Sequence, residues 1–367
     1  QAWRRAAASA EPERAPSYLL LAAKNLVRAG QIADGQRVLD QALAQLGIEL
    51  PLTASRAAVS LMAQRARVRM RGLGFRPRPG ESIDADELGR VDALFSAGVV
   101  LSMVDLVRSA DAQTRYLLRA LDAGEPRRAA RALAHEASVI AFRGREWRRA
   151  AAILTTAEAL AERSGGDEER GFVASARALL ALVHSRWREA RARSIEAEGL
   201  LDGSHSGVFF IRSTTISYRI WALFYWGRLN ELSRQVTRLL SASGQLSGRD
   251  WYLETLLKSG LANVRWLAAG DVQVAREVRA EVMRPWRQAP GFLFQHKDDL
   301  LARVHIALYS GDGTQAWRDI DEMWPGLESS LLLKFRFFRV ECLHARGRSA
   351  LVAARAGERA LLGRCER

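Results

Sequence analysis

Long apolar runs are missing from this chain. Nowhere do about 18 consecutive apolar residues occur, the minimum for a membrane-crossing helix, and the densest stretch, Gly98 to Val107, is far shorter. Cysteine is nearly absent: Cys342 and Cys365 have 22 residues between them and no Cys-x-x-Cys or Cys/His spacing around them. That gives no basis for a disulfide framework or a structural zinc site and makes a reducing cytoplasm the expected compartment. Of 9 prolines, none lies between Arg127 and Arg284, and so long a proline-free stretch, rich in Ala, Leu and Arg, favours helix. Lysine is scarce as well. Of 55 Lys+Arg residues only Lys24, Lys258, Lys297 and Lys334 are lysines, which leaves 51 arginines. None of the four follows a glycine, so there is no Gly-x-x-x-x-Gly-Lys-Ser/Thr phosphate loop. His-Arg-Asp and Asp-Phe-Gly are both missing, which excludes the catalytic parts of a protein kinase from these residues. The chain begins with Gln1 rather than Met and shows no apolar stretch of the secretory kind, so it is expected to be a piece of a longer protein.

What is present can fold. The 367 residues are 48% hydrophobic, enough for two or three globular units or one extended array. The net charge of +14 invites a nucleic-acid reading. Because it is carried almost wholly by Arg beside abundant Ala, GC-rich coding is the simpler cause, and the charge bears on association rather than fold.

Internal repetition is the most informative feature. The turn positions Gly144, Ser185, Gly227, Gly270, Gly311 and Gly347 are spaced 41, 42, 43, 41 and 36 residues apart. After several of them comes a bulky residue and, three later, a small or apolar one: Trp147 with Ala150, Trp187 with Ala190, Leu229 with Leu232, Val272 with Ala275. A period near 40 marks a two-helix repeat, whose hairpins bury their apolar faces only by stacking on neighbours. Between Trp251 and Ala268 the residues Leu253, Leu256, Leu257, Leu261, Val264 and Leu267 fall three or four apart, on one helix face, and Val59, Met62, Ala63, Ala66, Met70 and Leu73 do the same. Trp147 and Trp187 are read as core residues. Gly30, Gly144, Gly227 and Gly270 follow apolar helical runs as left-handed closing residues would. Asp84 with Glu87 resembles a capping box. Val208 to Ile211 is a weak strand signal running into a helical pattern. About sixteen helices are expected, beginning near 17–29, 31–47 and 53–71.

Catalytic constellations do not emerge. His135-Glu136 resembles the start of a zinc-protease helix, but Val139 stands where a second His is needed. Gly203-Ser204-His205-Ser206-Gly207 has His where a nucleophile elbow has Ser, and reads as a loop. His296 beside Gln295, Asp298 and Asp299 is the one mixed polar cluster; a capping role outweighs an acid/base one, because no second ligand stands at metal spacing. Asp84, Asp86 and Glu87 lack the glycine of a calcium loop.

The best binding candidate is basic. Between Glu49 and Glu81 no acidic residue occurs, but Arg56, Arg65, Arg67, Arg69, Arg71, Arg76 and Arg78 all do. Arg65, Arg67, Arg71, Arg76 and Arg78 are the candidate docking surface, for an acidic partner, a phosphate or nucleic acid, against the plainer reading of a solvated helix face. Only Phe75 among aromatics sits among them, which weakens a single-strand-binding reading.

Several segments resemble the C-terminal tetratricopeptide-like region of large bacterial serine/threonine protein kinases that carry an ATPase module. They are Leu46-Gly47-Ile48-Glu49-Leu50-Pro51, Arg71-Gly72-Leu73-Gly74-Phe75-Arg76, Gly98-Val99-Val100-Leu101-Ser102-Met103-Val104-Asp105, Leu118 to Pro126, Gln295-His296, and Leu308 to Gly313 with Trp317. The resemblance implies a regulatory or scaffold segment whose kinase and nucleotide sites lie upstream, and no catalytic residue of that family carries over.

The expectation is an all-α, right-handed solenoid of antiparallel hairpins. Residues 1–16 would be a linker or the end of a preceding helix, 17–362 the array with an irregular loop at 72–83, and 363–367 a tail. The expected role is a non-catalytic protein-interaction segment of a cytoplasmic signalling protein, with no cofactor, no metal and no membrane association. Its partners would include the kinase and ATPase modules of its own parent. The alternative is a nucleic-acid-binding helical array of a transcriptional regulator, using the Arg56–Arg78 surface.

Overall fold

The computed structural model describes residues 2–11, 14–144, 146–164, 166–202, 208–243, 250–287, 289 and 291–366. Among them every regular element is helical and no strand occurs. Contacts divide the chain into two units, Gln1–Ala141 with Arg145–Tyr218, and Phe142–Gly144 with Arg219–Arg367. The first contains α1 (Ala2–Ser9), α2 (Ala15–Arg28), α3 (Ile32–Gln45), α4 (Ala54–Arg71), α5 (Ala85–Ser102), α6 (Leu106–Ala123), α7 (Pro126–Arg143, all but its last turn), α8 (Trp147–Ser164), α9 (Asp167–Val183), α10 (Trp187–Leu201) and the start of α11 (Phe209–Tyr225). The second holds the rest of α11, then α12 (Leu229–Ser243), α13 (Trp251–Lys258), α14 (Val264–Ala268), α15 (Val272–Val282), α16 (Phe294–Tyr309), α17 (Gly313–Ser329), α18 (Arg336–Arg355) and α19 (Ala360–Glu366).

Chain neighbours pack together: α2 on α3, α5 on α6, α9 on α10 in the first unit, and α16 on α17, α17 on α18 in the second. Residues 2–9, left between linker and helix by the sequence, form α1, which packs on α2 with Trp3 stacked on Tyr18 at 6.1 Å. Val208–Ile211 runs into α11 rather than a strand.

The turns share one construction. Gly30, Gly144, Ser185, Gly227, Gly270 and Gly311 all have φ between 59° and 82°, the left-handed closing conformation. At five of them the next residue donates its N–H to the carbonyl five residues back: Gln31 to Leu26, Arg186 to Ala181, Arg228 to Leu223, Asp271 to Trp266 and Asp312 to Ala307, at 2.8–2.9 Å. Gly347 departs from the sequence reading. It lies inside α18, and the left-handed residue is Gly357 (φ 114°), followed by the same bond from Glu358 to Ala353.

The pair that follows each turn also packs differently than expected. Trp147 is 48% exposed, edge-on to His184, and Trp187 is only half-buried. The fully buried member is the second: Ala150, Ala190, Leu232 and Ala275. At the corresponding position of α3 the preceding helix comes very near. The equivalent Gly35 shows how close, since a Cβ there would sit 2.4 Å from Val27 Cγ2.

Two further expectations change. The helix read across Trp251–Ala268 is broken at Ser259 and Gly260 (φ 54°), where a Cβ would lie 2.8 Å from Asp298 Cγ. Asn263 makes up for lost ladder bonds by donating to the carbonyls of Lys258 and Ala275. Asp84 does cap α5, accepting from the Asp86 N–H, but Glu87 turns away to Arg119 instead of closing a capping box.

Overpacking the post-turn position identifies it as the stacking contact. Ala190→Leu is expected to cost about 1–3 kcal/mol. Ser185→Gly, which relieves a side chain held at φ 59°, is expected to gain up to about 1 kcal/mol. Urea unfolding checks both, and an A190L midpoint equal to wild type would show that the position is not tightly packed.

Candidate docking face on the fourth helix

α4 has two faces, and their assignment reverses the sequence reading. Thr53 starts the helix by accepting the Arg56 N–H, and Gly72 (φ 73°) ends it. Only Ala57 and Val68 along its length are buried. The face turned towards α6 and α7 is otherwise held by polar groups. Arg65 makes a bidentate pair with Glu136 of α7, at 2.7 and 2.6 Å. Ser60 donates to Asp111 of α6 at 2.6 Å, and Arg115 braces both at 2.9 Å. Arg71 donates to Asp122 at 2.7 Å and to the Gly74 carbonyl at 2.9 Å, anchoring the start of the irregular loop. Farther along that loop, the Arg78 N–H donates to the Gly124 carbonyl at 2.9 Å. Glu136 and Asp111 are almost wholly withdrawn from solvent, so these bonds satisfy groups that would be costly to bury alone. The bond to Glu136 holds the Arg65 guanidinium above its already high value, so the arginine stays charged.

The opposite face carries the apolar series. Val59 is 64% exposed, Met62 66% and Met70 80%, and Ala63 and Ala66 are exposed between them. The periodicity from Val59 to Leu73 is real, but from Val59 to Met70 it points outward, and only Leu73, past the helix end, packs against the core. Beside it, Arg56, Arg67 and Arg69 are exposed and have no carboxylate partner among the described residues; Arg67 makes only a long contact with Gln64.

The five sequence candidates therefore separate. Arg65 and Arg71 are committed to internal pairs, whereas Arg67, Arg76 and Arg78 are exposed, with Arg78 also donating to the Ser82 carbonyl. The residues that sequence reasoning missed are the acceptors, Asp111, Asp122 and Glu136. They lie 51 to 71 positions from their partners, and no local pattern joins them.

The other chemical candidates resolve into structural roles. His296 Nδ1 accepts the Leu293 N–H at 2.9 Å, so Nε2 carries the proton and donates to the Trp286 carbonyl at 3.0 Å, which is the expected capping role. Burial lowers its pKa, in keeping with a neutral ring. Asp299 is engaged by Arg279 and Arg303. His135 is pushed down to about 4 by burial. Its neighbour Glu136 is the Arg65 acceptor. Gly203–Gly207 lies outside the described residues.

In the second unit a buried cation centres a polar cluster. The Lys297 ammonium lies 2.7 Å from Asp298 and 3.1 Å from Glu341, with the rings of Phe294 and Phe338 each 4.7 Å away. Tyr225 donates to the other Glu341 oxygen at 2.6 Å. Burial pushes the Cys342 thiol up to about 12, which makes it a poor nucleophile. One ammonium thus faces two carboxylates, and Asp298 Oδ1 is buried without a hydrogen bond. Among the described residues no set of three or more His, Cys, Asp and Glu side chains could hold a metal ion, and no helix is long and apolar enough to cross a membrane.

Glu136→Gln keeps the size of the acceptor and removes its charge. It is expected to cost about 3 kcal/mol, at the low end for a broken buried pair because Arg65 keeps 21% of its side-chain exposure. Arg65→Met combined with Glu136→Leu is expected to recover most of that loss. Urea unfolding of the three proteins checks it; an E136Q midpoint equal to wild type would show that the pair does not hold α4.

Comparison of the chain with protein-family models, with curated proteins and with solved structures found no match to any of them.

Proposed function

We propose that this chain is a non-catalytic protein-interaction scaffold. In this reading its hairpins form a right-handed solenoid with a period near 40, serving as the regulatory region of a larger cytoplasmic bacterial signalling protein. The parent would be a serine/threonine kinase with an ATPase module, and the segment would recruit a partner and bias the attached modules. The observation that carries the reading is the outward face of α4: three large apolar side chains stand in solvent on a helix whose other face is fixed to its unit by ion pairs. Exposed apolar surface of that kind, rimmed by polar residues, marks interaction sites. The capping role of His296 and the pairing of Asp299 with Arg279 and Arg303 support a structural rather than reactive use of these groups.

A second reading draws on the exposed Arg56, Arg67, Arg69 and Arg76, which would also suit nucleic acid. A gel-shift titration at two salt concentrations tests it, and no shift at low salt removes it.

The scaffold reading is tested by affinity capture on the immobilised 367-residue chain, compared with the variant Met62→Ser, Met70→Ser. Proteins retained by wild type are expected to be lost from the variant, whose melting temperature should be unchanged because both side chains are exposed. Identical sets on the two columns would contradict the reading.

A further inference from the structure

We infer that α4 docks an amphipathic helix with acidic flanks, laid alongside its exposed stripe. The inference rests on the scaffold reading and names the chemistry of its partner. Val59, Met62, Ala63, Ala66 and Met70 recur at three- and four-residue steps, so they form one continuous strip along the helix. The strip is graded in size. Ala63 and Ala66 let a second backbone approach closely at the middle, and Val59, Met62 and Met70 stand on either side of them as anchors. Methionine adapts to an irregular partner surface at little cost. The 18 residues of α4 extend about 27 Å, long enough to seat a partner helix of three or four turns.

Charge selects the partner. Arg56 and Arg67 project along one edge of the strip and Arg69 along the other, and no acidic residue occurs from 50 to 80. A helix with Glu or Asp flanking its own apolar stripe would place carboxylates against both edges. A second copy of the same face would set arginine against arginine, which disfavours self-association here. Nucleic acid would need cations at the centre of the face, where this one is apolar. The strip also has no Trp, Tyr or Phe, the residues that favour seating at a lipid interface.

The test is fluorescence anisotropy with the full 367-residue chain and two labelled 18-residue peptides. Both carry leucines at three- and four-residue spacing; one has Glu at the flanking positions and the other Lys. The Glu peptide is expected to bind at least 10-fold more tightly than the Lys peptide. Its affinity should fall at least 10-fold in Met62→Ser, Met70→Ser, and the preference should invert in Arg56→Glu, Arg67→Glu, Arg69→Glu, with melting temperatures showing that both variants stay folded. Equal affinity for the two peptides, no binding of the Glu peptide, or unchanged binding by the serine variant would overturn the inference. So would binding of phosphatidylserine vesicles or duplex DNA in place of the Glu peptide. If the columns above lose proteins with the serine variant while the Glu peptide fails to bind, the scaffold reading stands and the acidic-helix inference alone falls. If neither responds, both fall.

Discussion

The orientation of α4 depends on the bidentate pair between Arg65 and Glu136. Turning the helix half a revolution would bury Val59, Met62 and Met70, a gain of about 5–8 kcal/mol by transfer free energy. The same rotation would withdraw Arg65, Ser60 and Arg71 from Glu136, Asp111 and Asp122. Glu136 would then stand buried without its cation, at about 3–5 kcal/mol; Asp111 would keep Arg115 but lose the Ser60 hydroxyl, and the burial of Ala57 and Val68 would be lost as well. The structure turns the polar face inward. Its consequence is an apolar strip left in water.

That strip is useful only if it is held rigidly, and the construction of the array supplies the rigidity. The turns at Gly30, Ser185, Gly227, Gly270 and Gly311 close with a left-handed residue and a bond reaching five residues back, which fixes where the next helix starts. The small buried residue that follows, Gly35 in α3 or Ala190 in α10, sits in a helix packed on the one before it. Within the first unit, α4 is thus fastened to helices that are themselves closely packed, and its outward side chains are presented on a fixed element rather than a loop.

Much of the fold was legible because its signals are local. The glycines at 30, 144, 227, 270 and 311, and Ser185, could be picked out because a turn residue must follow an apolar helical run. Gly347 was misread for the same reason: composition marks glycine, but φ is set by whether the helix continues, and the chain runs on through α18 to Gly357. Trp147 and Ala150 were paired correctly and ranked wrongly. Size suggested that Trp carries the packing, whereas the small residue is the buried one. The site was harder to see. Period alone gives a face and not its direction, so the Val59–Met70 stripe looked like core. The groups that decide the matter, Asp111, Asp122 and Glu136, sit on other helices far along the chain, where nothing in the sequence ties them to Ser60, Arg71 and Arg65.

The most direct measurement is the reactivity of single cysteines along α4. With Cys365→Ser to remove the background thiol and the buried Cys342 left in place, Met62→Cys, Met70→Cys and Val68→Cys would each be labelled in the native protein and in urea. The account requires Cys at 62 and 70 to react nearly as fast in the native state as in urea, and Cys at 68 to be strongly protected. Protection at 62 and 70 with rapid labelling at 68 would mean that the apolar stripe faces inward, and the docking face would not exist.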